Sequence, residues 1–416
     1  MKVVGIIAEY NPFHNGHAYQ IRYAKEELGA DYVIVAMSGP FTQRGTPACF
    51  DKYTRASHAL SCGADLVFEL PVLYATASAQ LFATGGVCLL QNTGVVDTLL
   101  FGSETEDLTT LKQIAQLLNK EDDTYQEQLR LALQTGKSFA AARTEALGQD
   151  TFSTILSQPN NILAIEYLKA LQQLHSTMIP LCLKRNGADY HNTDIHTNHA
   201  SATAIRSFIA DHSPKKQQDL SILLQQIPEV LHTSVTKELQ KDAYLLPEDI
   251  SLLLQYELSS HDNFTAYSDC SFDISNKILQ SKHVYAGYHS FCTQLKSKDV
   301  AYSRISRVLC HILLDIKKSD FTSWQPDLAS TIQIPYLRLL GFNEHGSSLL
   351  STIKKESQVP ILTTPKNAEQ FLSPMAYSML QKDIFAADVY RMILSQKTGI
   401  VYPNEYTRKF KKHVTD

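Results

Sequence analysis

Val3-Val4-Gly5-Ile6-Ile7-Ala8-Glu9-Tyr10-Asn11-Pro12-Phe13-His14-Asn15-Gly16-His17 opens the chain. Its first half is a short apolar run rich in β-branched residues, the pattern of a strand buried on both faces of a parallel sheet. The run stops at Asn11-Pro12, because proline cannot donate to a ladder and biases its predecessor away from helix. Helix-forming residues then continue from Ala18 to Leu28. The reading is strand, tight turn and helix, with two histidines around a glycine at the turn.

A helix starting near Gly16 aims unpaired N–H groups and the positive end of its dipole at the carboxyl edge of the sheet, where anions bind. Gly16 has no Cβ, so a nucleobase or ribose could approach its backbone closely. His14 and His17 are three apart and can face one phosphate from the first turn. Imidazole N–H groups can stabilise the charge that builds on phosphorus during in-line attack. No Walker lysine follows, which excludes a P-loop. Two histidines beside a turn are more often surface or cap residues. Their place in the first strand, turn and helix of an α/β pattern favours a nucleotide-handling corner.

At 416 residues the chain exceeds one ordinary core, so two domains are expected. A hydrophobic content of 44% with 19% charged residues fits a globular protein. The net charge of −4 excludes a bulk basic protein, so a nucleic-acid partner would be met by a local patch. The apolar run after Lys2 is too short for a signal peptide, and no stretch reaches membrane-spanning length. Seven scattered cysteines without a C-x-x-C pair read as buried thiols, which predicts a reducing, cytoplasmic setting.

Further along, a second strand is expected over 31–37, followed by a polar loop with Gln43, Arg44 and Gly45. Arg44 sits directly after a core strand and is a candidate for phosphate or RNA. Lys52 and Arg55, on a helix capped by Asp51, read equally well as ligands or as solvated charges. A third strand over 65–69, an apolar helix over 78–90 and a fourth strand over 95–101 lead to Gly102, where a ribose or adenine could lie against backbone. Residues 106–147 look like a helical insertion. Pro159-Asn160-Asn161 opens another helix, with asparagine as its cap. A fifth strand over 178–184 ends at Arg185, a guanidinium suited to phosphate. His191, His196 and His199 are irregularly spaced and read as a loop rather than a metal site.

A second anion corner follows in Ser201-Ala202-Thr203-Ala204-Ile205-Arg206. Ser201 is an N-cap, Thr203 lies in the first turn, and Arg206 follows one turn later. Two such corners in one chain argue far more strongly than either alone. Beyond residues 212–219 the strand–helix alternation gives way to helices, with a small αβ element expected over 335–363. Lys296, Lys298, Arg304 and Arg307 gather there beside Tyr302, a basic and aromatic surface suited to RNA.

His14-Asn15-Gly16-His17 resembles the H-x-G-H signature of the nucleotidyltransferase superfamily, and Ser201–Arg206 resembles its S-x-T-x-I-R helix for the β and γ phosphates. The lysine-rich loop of class I aminoacyl-tRNA synthetases is missing, which excludes that class. With Met37-Ser38-Gly39-Pro40-Phe41-Thr42-Gln43-Arg44-Gly45, Tyr302-Ser303-Arg304-Ile305-Ser306-Arg307 and residues 336–346, the whole chain resembles the bacterial tRNA(Met) cytidine acetate ligase family. The resemblance implies an α/β architecture, a Rossmann-like nucleotidyltransferase parallel-sheet domain over 1–213 and a mainly helical RNA-binding domain over 214–416. It implies ATP with Mg²⁺, acetate and elongator tRNA(Met). Acetate would attack ATP to give acetyladenylate, and the acetyl group would pass to N4 of the wobble cytidine. ATP contacts are implied along Ile7-Ala8-Glu9-Tyr10-Asn11-Pro12-Phe13-His14-Asn15-Gly16-His17-Ala18-Tyr19-Gln20 and at Gly102, Asn160, Arg185, Ser201, Thr203 and Arg206. His14, His17 and Arg206 would be catalytic, with no protein metal ligand, and Arg44, Lys296, Lys298, Arg304 and Arg307 would meet RNA. A small-molecule adenylyl- or cytidylyltransferase is the alternative, although such enzymes are short single-domain chains. A non-catalytic RNA-binding scaffold comes third, because both phosphate signatures are intact.

Overall fold

Six residues at the start of the chain, Val3–Ala8, form β1, and the rest of the sheet is laid out on either side of it. The computed structural model describes residues 1–120, 123–135, 142, 145–146, 151–184, 195, 200–212, 215–322, 334–409 and 412. Arg185, His191, His196 and His199 lie outside the described residues. The remaining strands are β2 (Tyr32–Ser38), β3 (Leu66–Leu70), β4 (Thr98–Ser103), β5 (Ile179–Lys184), β6 (Leu337–Phe342) and β7 (Ile361–Leu362). Their order is β5-β4-β1-β2-β3-β6-β7. The first five are mutually parallel, β6 runs antiparallel to β3, and β7 runs parallel to β6.

The chain builds β2 and β3 to one side of β1 and then places β4 and β5 on the other side. That reversal is a topological switch point, where open α/β sheets bind ligands beyond their carboxyl ends. The β1–β2 ladder continues to Ala8↔Met37, whereas β1 and β4 pair only at Val4↔Thr98 and Gly5↔Leu99. The β1–β4 ladder therefore ends before the carboxyl edge of β1.

The helices used below are α1 (Asn15–Glu26), α2 (Lys52–Ser61), α3 (Ala79–Asn92), α4 (Pro159–Gln173), α5 (Ala202–Asp211) and α6 (Tyr302–Leu313). Apolar side chains cover both sheet faces, so the core is double. Phe68, Phe82, Phe101 and Tyr167 belong to one side, and Ile6, Phe13, Ile21 and Ile205 to the other. Helix α3 lies close on the sheet at Gly86, where a Cβ would come 2.7 Å from Ile7 Cδ1. None of the described helices is long and apolar enough to cross a membrane.

At the level of the fold, the structure departs from the sequence reading at the edge of the sheet and at two basic residues. Residues 337–342 and 361–362 form the expected small αβ element, with a helix over Gly346–Glu356 between them, but this element extends the main sheet beyond β3. The sheet thus crosses the expected boundary at residues 213–214. A short strand pattern identifies a strand but not its partner, which here lies some 270 residues earlier.

Lys52 and Arg55 are also neither solvated nor ligand-facing, being 2% and 0% exposed. Lys52 Nζ lies 2.7 Å from Glu69 Oε2 and 3.0 Å from Glu405 Oε2. Arg338 Nη2 (3.1 Å) and the Tyr53 hydroxyl (2.9 Å) also donate to Glu405 Oε2. Burial pushes the Glu405 carboxyl up, but the charges of Lys52 and Arg338 outweigh it and hold the group at about 2. The folded value lies below the unfolded one, so this stabilisation is complete above about pH 5 and lost as pH falls toward 2. Glu405→Gln is expected to cost about 3 kcal/mol in urea unfolding at pH 7. The deficit should shrink as the titration is carried below pH 4.

Candidate active site

A cavity of about 230 Å³ lies outside the carboxyl ends of β1, β4 and β5, at the switch point. The opening motif forms one wall. His14 is the N-cap of α1 and its Nδ1 accepts the Gly16 N–H at 3.0 Å. The His14 N–H donates to His17 Nδ1 at 3.3 Å, which completes a capping box built from imidazoles. The two rings stack at 3.8 Å. Because each Nδ1 accepts a backbone N–H, each neutral ring carries its proton on Nε2. The cap and the chemistry are therefore one arrangement: the backbone bonds fix the tautomer that donates.

The second corner forms another part of the wall. Ser201 Oγ accepts the Ala204 N–H at 3.1 Å and caps α5. Arg206 donates Nη2 to Thr203 Oγ1 at 3.2 Å and Nη1 to the carbonyl of Asn11. This guanidinium joins the two corners across 195 residues of sequence. Ser201, Thr203 and Arg206 line the same cavity as His14, Gly16 and His17.

The expected contact stretch 7–20 divides by side. Ile7, Ala8, Glu9, Tyr10, Asn11, His14, Gly16, His17, Tyr19 and Gln20 line the cavity, and Pro12, Phe13, Asn15 and Ala18 do not. Phe13 packs edge-on to Tyr10 at 4.7 Å in the core. Pro12 follows a cis peptide bond, and Asn15 Nδ2 donates to the Gln225 carbonyl at 2.9 Å. Ala18 packs on the core beneath α1. These four shape the turn.

Gly102 and Asn160 both line the cavity, but asparagine does not cap α4. The Glu104 carboxylate does: it accepts the Asn160 N–H at 3.2 Å, Asn160 Nδ2 at 2.6 Å and the Asn161 N–H at 2.7 Å. Asn161 Oδ1 in return accepts the N–H groups of Glu104 and Thr105. A carboxylate at a helix N-terminus satisfies more orphan donors than an amide and suits the dipole.

Arg55 governs the edge from below. Its Nη1 donates to the carbonyls of Glu9 (2.7 Å) and Ser38 (2.9 Å), Nη2 to that of Gly39, and Nε to that of Phe50 (2.9 Å). One buried guanidinium thus gathers the carboxyl ends of β1 and β2.

Arg44 lines the cavity. Its loop rests on the start of α6: Ser306 Oγ donates to the Arg44 carbonyl, and the Tyr288 hydroxyl to that of Gly45 at 3.1 Å. Gly45 has φ +72°, and a Cβ there would stand 2.5 Å from the Arg307 backbone. Arg304 and Arg307 do not line the cavity. Arg307 Nε bonds Asp269 Oδ2 at 2.7 Å, and Arg304 Nη2 reaches the Asp269 carbonyl at 3.3 Å. Burial raises the Asp269 carboxyl, but the Arg307 charge outweighs it and leaves the group below its ordinary value. Lys296 and Lys298 are exposed, away from the cavity lining.

Sequence reasoning did not single out Phe82, Phe101, Leu163, Tyr167, Leu183 or Lys184, which also line the cavity. The apolar ones read as ordinary core, and only the way strands and helices meet puts them at the cavity. Among the described residues no cluster of three or more His, Cys, Asp or Glu could hold a metal.

The family model for HIGH Nucleotidyl Transferase matches residues 1–401. A tRNA(Met) cytidine acetate ligase of Thermoanaerobacter sp. (strain X514) is 39% identical over 401 residues, 94% of this chain and 95% of that protein. The chain belongs to the tRNA(Met) cytidine acetate ligase family, within the HIGH nucleotidyl transferases. Another family member, the tRNA(Met) cytidine acetate ligase of Clostridium kluyveri, is 38% identical over 403 residues, 92% of this chain and 96% of that one. Apo TmcAL of Thermotoga maritima superposes with a TM-score of 0.88 at 30% identity, covering 100% of both chains. Its form bound with alpha-thio ATP gives 0.84 at 31% identity, covering 95% of both chains.

Proposed function

We propose that this protein activates acetate with ATP, releasing pyrophosphate, and transfers the acetyl group to N4 of the wobble cytidine of elongator tRNA(Met). The observation that carries the reading is Arg206, which ties the H-x-G-H turn to the S-x-T-x-I-R helix around one cavity. ATP would lie between them. His14 and His17 would donate Nε2–H to the α-phosphate as an oxygen of acetate adds in line. The N-terminus of α5, Thr203 and Arg206 would hold the departing β and γ phosphates. No side chain is needed as a nucleophile, so catalysis is positioning and electrostatics. Mg²⁺ fits as a partner of the phosphates rather than of a protein cage, as its preference for retained waters and substrate oxygens suggests. It would neutralise the leaving pyrophosphate.

For the RNA, Arg44 at the cavity and the exposed Lys296 and Lys298 are the favoured contacts. Arg304 and Arg307 are partly committed to Asp269 and would contribute fewer donors. The division into a catalytic part over 1–213 and an RNA-binding part over 214–416 is retained for function, with residues 337–362 serving the sheet. A cytoplasmic setting agrees with the seven cysteines, all free thiols here.

The test is pyrophosphate release from ATP with acetate and tRNA(Met), added separately and together, with labelled acetate followed onto the RNA. Acetate-dependent release with label on the tRNA is the expected result. Release only with a phosphorylated small metabolite would favour small-molecule nucleotidyl transfer instead.

A further inference from the structure

Cytosine N4 is a poor nucleophile, because its lone pair is delocalised into the ring, so its attack on an acyl carbon needs a proton acceptor. Most of the ionisable groups lining the cavity cannot serve. His14 and His17 have their basic Nδ1 atoms engaged by backbone N–H groups and present only donors. Arg44 and Arg206 are permanent cations. Lys184 Nζ is engaged in an ion pair, 3.7 Å from Glu106 Oε2. Burial, with a smaller contribution from Cys62, pushes the Tyr10 phenol up; burial and then the Glu9 charge do the same for Tyr167. Both phenols stay protonated.

Glu9 is the only carboxylate among the described lining residues. It stands immediately after β1 and ahead of the H-x-G-H turn, close enough to Tyr167 for its charge to act on that phenol. Its carbonyl is held by Arg55 at 2.7 Å. Its Oε1 accepts the Gln43 N–H at 2.8 Å, and the Gln43–Gly45 loop is in turn braced by Ser306 and Tyr288. That one bond fixes the carboxylate and commits only one of its two oxygens.

We infer that Glu9 is the general base for acetyl transfer, its carboxylate taking the proton from the attacking exocyclic amine. This rests on the ligase reading above. The N4 lone pair forms the C–N bond to the acetyl carbon. The C–O bond to the adenylate phosphate breaks, and its electron pair leaves with AMP. The N4 proton passes to Glu9 and then to solvent. The first half-reaction has no comparable need, since acetate is already an anion.

The experiment compares the two half-reactions in Glu9→Gln, whose amide oxygen can still accept the Gln43 N–H. Acetate-dependent ATP–pyrophosphate exchange reports activation, and single-turnover acetylation of tRNA(Met) reports transfer. Transfer is expected to fall about 100-fold further than exchange. Hydroxylamine, a strong nucleophile that needs little base assistance, should still be converted to acetohydroxamate at a rate that follows the exchange. Glu9→Asp, with its carboxylate withdrawn by one methylene, should show the same differential in milder form. Equal losses in exchange and transfer, or hydroxamate formation falling as far as tRNA acetylation, would overturn the assignment. Absence of acetate-dependent exchange in the wild type would instead overturn the ligase reading itself.

Discussion

His17→Gln is expected to keep the fold and lose about 10²–10³ of the rate of acetate-dependent pyrophosphate exchange. Glutamine at the third helical position is the ordinary partner in a capping box, so it can accept the His14 N–H as His17 Nδ1 does at 3.3 Å. Helix α1 should therefore lose less than about 1 kcal/mol, the usual worth of a cap, as read by urea unfolding. What disappears is the Nε2–H donor of a ring that lines the cavity. His17→Ala should lose the same rate and, in addition, the cap. Affinity for tRNA(Met) should stay within a few-fold in both, since in the proposed reading His17 meets ATP rather than the RNA. Wild-type exchange in the glutamine variant would reduce the histidine pair to a helix cap.

Arg55→Met should be the most damaging substitution to the fold. The side chain is fully buried and serves four backbone carbonyls, those of Glu9, Ser38, Gly39 and Phe50. Methionine matches the stem but leaves the four acceptors in a site water cannot reach. At roughly 1–3 kcal/mol for each unsatisfied group, the loss is at least about 4 kcal/mol, a large share of ordinary domain stability. Thermal unfolding should show a drop of many degrees. Any folded fraction should bind nucleotide poorly, because the ends of β1 and β2 are no longer held together beneath Glu9. Arg55→Lys should recover little, since one ammonium cannot reach the same acceptors in the geometry of a guanidinium fork. A variant as stable as the wild type would show that water or a rearranged loop replaces the arginine.

The local corners were legible in the sequence because their signals are local. A β-branched run broken by Asn11-Pro12, histidines three apart around Gly16, and Ser201 two residues before Thr203 each report on a single strand end or helix start. Such features depend on backbone geometry within one turn, and the structure places them where that geometry requires. The spacing also foreshadowed the alternation of β1 to β5 with helices. It could not show that β6 joins β3, since antiparallel edge pairing leaves no mark on either strand alone.

Charge was the least legible feature. Lys52, Arg55, Arg304 and Arg307 look alike in a sequence, yet the first two are buried and the last two are tied to Asp269. Their fates depend on carbonyls and carboxylates far along the chain, Glu405 in the case of Lys52. The same holds for Glu104, which caps a helix beginning 55 residues later, and for Phe82, Phe101 and Tyr167, whose apolar character is the same in a core and in a cavity wall. The sequence by itself determined the two helix starts and the succession along the chain of the strands that precede them. The tertiary structure alone decided that Arg206 joins those helix starts and that Glu9 is held at the same cavity, because each depends on hydrogen-bond partners brought together only when the chain closes on itself.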